Sequence, residues 1–214
     1  MDYFNLPSTT IVQRVVPKNT FDSFTTRKQK ELFTKDVAKI MWKNSISTQT
    51  TNLPCKDILE IQIFSIELKQ QKEIKTLLDI IDKSIVYHII FVVEFENLFY
   101  LSTSAKHPSP LNETKSVIDW TFKTQWSKKS SNLYKIELRK SIENVYYEFC
   151  KQLSLKPTDE VNCLIDLIDY DSQIQTLIKE IDHLQKKIAT CQQFNKKVEY
   201  NLKLKELQQK LSNI

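Results

Sequence analysis

The spacing of apolar residues changes period several times along this chain, and each change predicts an element. Leu6-Pro7-Ser8-Thr9-Thr10-Ile11-Val12 and Val15-Val16-Pro17-Lys18 read as extended arms, because proline punctuates both. Thr26 is placed to cap a helix from about Arg27 to Trp42, with Phe33, Val37, Ile40 and Met41 as its apolar stripe. The stretch from Ile58 to Lys69 then alternates, with Phe64, Ile66 and Leu68 on one parity and Ile61, Ile63, Glu67 and Lys69 on the other. That is a strand with both faces partly covered. Ile74, Leu77, Leu78 and Ile81 have the i, i+3, i+4, i+7 spacing of a helix, and the apolar run from Ile85 to Val93 reads as a central strand. Together these make a β-α-β unit.

Glu96-Asn97 predicts a tight hairpin into Leu98-Phe99-Tyr100-Leu101. Residues 106–112 read as a proline loop, after which Ile118, Trp120, Phe122, Thr124 and Trp126 alternate as a further strand. Leu133 to Ile136 suits a short edge strand, and Leu138, Ile142, Val145 and Phe149 mark a helix ending before Pro157. The fold class is α+β: a mixed sheet of four to five strands with packed helices, followed by a C-terminal helical, coiled-coil-like tail. The expected organisation is an α+β domain over 1–156, a linker with a short helix over 157–171 and the tail over 172–214.

In the tail, Ile174, Leu177, Ile181, Leu184 and Ile188 follow the 3,4,3,4 spacing of a heptad seam. Tyr200, Leu204, Leu207, Leu211 and Ile214 form a second seam out of phase with the first, so the tail is either a hairpin of two helices or one helix with a broken stripe. Either form leaves an apolar stripe that needs a partner surface. The partner-binding residues are therefore Ile174, Leu177, Ile181, Leu184, Ile188, Leu204, Leu207 and Leu211.

Composition removes several functions from consideration. The chain has 214 residues and no glycine, so neither a P-loop nor a dinucleotide fingerprint can be built, and no nucleotide is expected by those routes. Cys55, Cys150, Cys163 and Cys191 are too widely spaced for a zinc site or a disulfide framework, which fits a cytosolic chain with free thiols and no metal or other cofactor. No apolar run is long enough for a signal or membrane segment, so a cytoplasmic, membrane-free location is expected. Net charge is +5, and the tail from Ser172 holds eight Lys against four acids. That balance permits DNA contact, for which Lys18, Lys43 and Lys69 are the candidate residues, but is weaker than a basic footprint.

Glu67-Leu68-Lys69 has the ExK spacing of PD-(D/E)XK nucleases, whose carboxylate and lysine face a metal. The matching acid, Asp57, would lie about 33 Å from Glu67 along an uninterrupted strand at roughly 3.3 Å per residue, so Asp79 or Glu94 would have to replace it. A strand with a surface ion pair is the simpler reading. His88 sits in an apolar run with no nucleophile placed beside it, and neither His107 nor His183 completes a triad, so no catalytic residue is assigned. Trp42, Trp120 and Trp126 could stack bases beside Lys43, Lys123 and Lys128, yet their spacing fits core positions.

Leu6-Pro7-Ser8-Thr9, Val16-Pro17-Lys18, Trp42-Lys43-Asn44, Glu60 to Lys69, Ile81-Asp82-Lys83-Ser84-Ile85 to Phe91, and Gln193 to Asn201 follow one another along the chain. Taken together, these segments resemble a bacterial family known as domain of unknown function 4391. The chain departs from that pattern at Val86, where members often carry proline, and in lacking their loop glycines. The resemblance implies an accessory gene beside helicases and DNA methyltransferases of restriction-modification or antiphage loci. The resulting expectation is a non-catalytic accessory subunit whose tail docks on a helicase or methyltransferase partner or on itself. A metal-dependent nuclease and a nucleic-acid-binding module are the alternatives.

Overall fold

Thr26 caps the first helix, α1 (Arg27–Asp36), through a reciprocal box with Gln29. The computed structural model, which describes residues 3–110, 112–158 and 160–213 and all their side chains except those of 112–114, ends α1 six residues earlier than the apolar stripe predicts. Val37, Ile40, Met41 and Trp42 belong to a strand, β2 (Val37–Ser47). The physical reason is tertiary: β1 (Ile11–Val15) pairs with one edge of β2 and β3 (Glu60–Leu68) with the other, both antiparallel. Those ladders satisfy backbone groups that a helix would have satisfied internally, and β-branched and aromatic side chains suit the pleat. At the junction, Lys69 Nζ donates to Thr34 O at 2.8 Å and Lys18 Nζ to Val37 O at 2.5 Å.

Contacts divide the chain into Met1–Leu153 and Ser154–Ile214. The first unit is a seven-stranded mixed sheet in the order β1-β2-β3-β4-β5-β6, with β4 (His88–Phe95), β5 (Leu98–Ser109), β6 (Asn112–Lys123) and β7 (Ser127–Lys128), the last pairing with β5. The chain is α+β as the periodicity predicts, but the sheet exceeds four to five strands. β1 and β2 account for the difference, one read as an arm and the other as helix, together with the two-residue β7. The β-α-β unit is present: β3 and β4 are parallel and joined through α3 (Lys75–Ser84). A single turn, α2 (Thr48–Thr51), lies between β2 and β3. Residues 106–109, expected in a loop, extend β5; Leu111 lies outside the described residues. Leu133–Ile136 form no strand.

One face of the sheet packs Phe64, Ile66, Phe91 and Val93 against Phe33 of α1 and Leu77 and Ile81 of α3. The opposite face carries Ile61, Ile63, Ile90 and Leu101, and α4 (Ile142–Leu153) covers part of it with Tyr146 and Phe149. Tyr146 Oη lies 2.8 Å from Thr103 Oγ1, and Phe149 meets Phe4 edge-on with ring centroids 5.6 Å apart. Each such large apolar side chain contributes about 1.5–3 kcal/mol of burial. At the C-terminal end of α3, Lys106 Nζ donates to Asp82 Oδ1 at 2.6 Å, Asp82 O at 2.7 Å and Ile85 O at 2.8 Å. Burial drives both members of this pair toward neutrality, raising Asp82 and lowering Lys106, while each charge opposes the shift of the other.

The second unit is two helices, α5 (Leu164–Thr190) and α6 (Phe194–Asn213), joined by residues 191–193. Residues 164–171, expected in the linker, form the first turns of α5. Ser154 Oγ donates to Asp171 at 2.5 Å, and Lys156 Nζ reaches Leu211 O at 3.4 Å. Among the described residues no helix is long and apolar enough to cross a membrane.

Candidate functional site

The part of the sheet that α4 leaves open lies toward the carboxyl ends of the parallel strands β3 and β4. Such ends are where open α/β sheets place ligands. Ser65 and Glu67 of β3 share this face with Val92 and Glu94 of β4, because Ser65 pairs with Val92 and Glu67 with Glu94. Across the other edge, Met41 and Lys39 of β2 are register partners of Ser65 and Glu67.

Glu94 is the electrostatic centre. Its carboxylate accepts from Tyr3 Oη at 2.8 Å, pairs with Lys129 Nζ at 2.8 Å and accepts a short bond from Ser65 Oγ. Burial works against its ionisation, but hydrogen bonds from Lys129, Ser65 and Tyr3 outweigh burial and hold it below the usual carboxylate range. The Tyr3 hydroxyl moves upward, first through burial and then through Glu94, so it remains a donor. A carboxylate with a lowered pKa and three donors is a poor proton acceptor. Ser65 is therefore next to a weak base, and the cluster is built to hold charge rather than to activate a nucleophile.

Beside this cluster is a cavity of ≈ 280 Å³, with Ile63 and Val92 on the sheet, Tyr3 and Phe4 from the preceding segment, and Gln13 and Lys43 from β1 and β2. Lys43 falls at an irregularity where the β2–β3 register shifts between Trp42 and Asn44. Gln13 falls at the β1–β2 shift between Ile11 and Arg14, with φ 52.

The three lysines expected at a nucleic-acid surface separate. Lys18 and Lys69 both turn to carbonyls at the end of α1, and partial burial followed by the Lys69 charge lowers Lys18. Only Lys43 faces the cavity. Glu67 and Lys69 therefore do not converge, although they are two residues apart. Asp57 lies before β3 with its N–H on Glu143, at the opposite end of the strand from Glu67, and Asp79 pairs with Lys75 at 2.7 Å. Among the described residues no group of three or more His, Cys, Asp and Glu side chains is placed to hold a metal ion.

His88 packs edge-on against Tyr146 with centroids 4.6 Å apart, and burial, aided by the Lys106 charge, pushes it down to about 3. It stays neutral at physiological pH. His107 Nδ1 lies 2.9 Å from Asp119 Oδ2, and His183 is exposed on α5. Trp42 donates to Asn44 O at 2.9 Å, Trp126 meets Tyr100 edge-on, and the buried Trp120 indole nitrogen has no partner among the described residues.

The two seams of the tail lie in α5 and α6, which pack together. Ile174, Leu184 and Leu207 are buried, and Leu177, Ile181, Ile188, Leu204 and Leu211 are partly buried. Ile214 lies outside the described residues. Lys187 sits over the Tyr200 ring, 5.9 Å from its centroid, near the connecting turn. The tail is thus two helices folded back on each other rather than one broken helix.

Sequence patterning missed Tyr3, Gln13, Ser65 and Lys129, and named Glu94 only as a stand-in acid. The available signal was polarity out of place: Ser65 interrupts an apolar strand, and Glu94 is the first charge after the run ending at Val93. No curated protein and no solved structure matches the chain. A family model does match, described as a domain of unknown function (DUF4391), over residues 4–211. Covering the sheet and nearly all of both tail helices, that match makes the chain a member of the DUF4391 family.

Proposed function

We propose that this protein is a cytoplasmic, non-catalytic accessory subunit of a bacterial restriction-modification or antiphage assembly. Its helical unit docks on a helicase or methyltransferase partner, or on a second copy of itself. The observation that carries this reading is a stripe on α6. Phe194, Val198 and Leu202 recur every four residues and are exposed. At about 100° per residue they lie roughly 150° around the helix from Tyr200, Leu204, Leu207 and Leu211. The seam residues hold α5 and α6 together as an antiparallel, coiled-coil-like pair, and the outer stripe is left for the partner. The locked state of Glu94 and the diversion of Lys69 to α1 favour a non-catalytic role, and the family context supplies the class of partner.

The test is co-purification of the full chain with the helicase or methyltransferase encoded beside it, with light scattering of the chain alone. Val198→Asp with Leu202→Asp should abolish the complex or the self-association while leaving the melting temperature within about 1 °C, because surface substitutions change stability little. Unchanged assembly in the double variant would sink the docking stripe. Magnesium-dependent nicking of DNA that disappears in Glu67→Ala would replace this reading with the nuclease. DNA binding whose affinity falls steeply with salt and weakens in Lys43→Ala would replace it with the nucleic-acid module.

A further inference from the structure

Two irregularities on neighbouring strands direct polar side chains into the same space. Bulges re-aim side chains by giving up ladder pairing, and here both Gln13 of β1 and Lys43 of β2 line the cavity on the open sheet face. Gln13 adopts a left-handed conformation that a residue with a Cβ disfavours, at φ 52. Lys43 is partly buried at the wall, and among the described residues its ammonium has no carboxylate or carbonyl partner. Glu94, which lies behind Tyr3 and Ser65, is already paired with Lys129. The cavity therefore has one positive charge uncompensated among the described residues, the Gln13 amide beside it, the Asn44 amide and Ser65 hydroxyl already donating to Thr10 and Glu94, and an apolar surface of Tyr3, Phe4, Ile63 and Val92.

Volume restricts what that charge can attract. A dry cavity of about 150 Å³ accepts a benzene ring, so ≈ 280 Å³ holds a ring with a charged substituent. It falls below the usual span of about 300–1,000 Å³ for larger ligands. One ammonium and one amide match a monoanion, whereas a phosphate dianion calls for the cluster of backbone donors that glycine-rich loops supply.

We propose that this cavity is a binding site for a small aromatic carboxylate, its anion on Lys43 and Gln13 and its ring against Tyr3, Phe4, Ile63 and Val92. The site is independent of the helical docking surface, since every residue in it precedes β5.

Benzoate is the probe, titrated into the isotope-labelled full chain while amide shifts are followed, with benzyl alcohol and inorganic phosphate as comparisons. Saturable shifts confined to Tyr3–Phe4, β1, β2 and the carboxyl ends of β3 and β4 are expected for benzoate. Benzyl alcohol should bind about tenfold more weakly or worse, as loss of a charged hydrogen bond requires. Lys43→Met keeps the apolar stem and should show the same loss, and Gln13→Glu should weaken benzoate through repulsion. The proposal is overturned if benzoate gives no saturable shift, if benzyl alcohol binds as tightly, or if phosphate binds as tightly as benzoate. Unchanged benzoate affinity in either variant also overturns it. Should Lys43→Met fail to fold, Gln13→Glu and the benzyl alcohol comparison still decide.

Discussion

Glu143 Oε1 accepts the main-chain N–H of Lys56 at 2.5 Å, and those of Asp57 and Ile58 at 2.9 and 3.1 Å. The first turn of α4 is thereby tied to the segment that leads into β3. Burial opposes ionisation of Glu143, but the N–H groups of Lys56, Glu143 itself and Ile58, with the Ser141 hydroxyl, prevail and bring its carboxyl from the usual 4.5 down to about 2. A folded value below the unfolded one gives stability that is complete above about pH 4.5 and lost as pH falls toward about 2. Glu143→Gln should cost about 1–2 kcal/mol near neutrality and less at pH values below the unfolded pKa. Urea melts of both proteins at neutral and acid pH check this, and an equal difference at both would contradict it.

The Lys106–Asp82 pair, with both side chains 1% exposed, makes a second prediction. Lys106→Met strands the Asp82 carboxylate, removes the ammonium from the Asp82 carbonyl and leaves the Ile85 carbonyl with only the Ser116 hydroxyl, at 3.3 Å, as a side-chain donor. Losing one partner of a buried pair costs about 3–5 kcal/mol. Lys106→Met combined with Asp82→Leu should recover part of that loss, measured by denaturant midpoint. A double variant no more stable than the single would mean that the carbonyl bonds, not the charge, dominate.

Glu96 carries φ 49 in the two-residue turn between β4 and β5. Glu96→Gly should therefore stabilise the protein by about 0.5–1 kcal/mol, since relief of left-handed strain exceeds the added entropy of the unfolded chain. Glu96→Val should destabilise it. Paired thermal melts suffice, and a lower midpoint for Glu96→Gly would show that this turn relaxes without strain.

Ile181→Asp with Leu184→Asp puts charge into the α5–α6 seam, where large-to-small changes alone cost about 2–5 kcal/mol at buried positions. The expected result is loss of tail helicity in far-ultraviolet circular dichroism. All three tryptophans precede Leu153, so their fluorescence reports the sheet unit and should keep its native emission. Coincident loss of both signals would mean that the two units fold as one.

What was legible in the sequence was set by local periodicity. The β3-α3-β4 unit and both tail seams repeat over enough residues for their period to be unambiguous. β2 was not legible, because Phe33, Val37, Ile40 and Met41 also fit a helical stripe and only pairing with β1 and β3 decides between the two. The cavity was hidden for a related reason. Its polar residues come from four separated segments, and Gln13 and Lys43 are aimed by register shifts that leave no mark in the local pattern. The ExK spacing is present in the chain, yet the Lys69 ammonium is turned away to the Thr34 carbonyl in the last turn of α1.

Tyr3 touches Glu94, 91 positions later, and its carbonyl accepts from Asn132, 129 positions later. A chain emerging from the ribosome can assemble β1 to β3 without either partner. It cannot hold Tyr3 by both of these bonds until the chain has been made through Asn132, because Glu94 supplies only the partner of the hydroxyl. Closing so long a loop also costs more entropy than forming any adjacent strand pair. The cavity is thus completed late relative to its own strands, although one of its walls is made before β1.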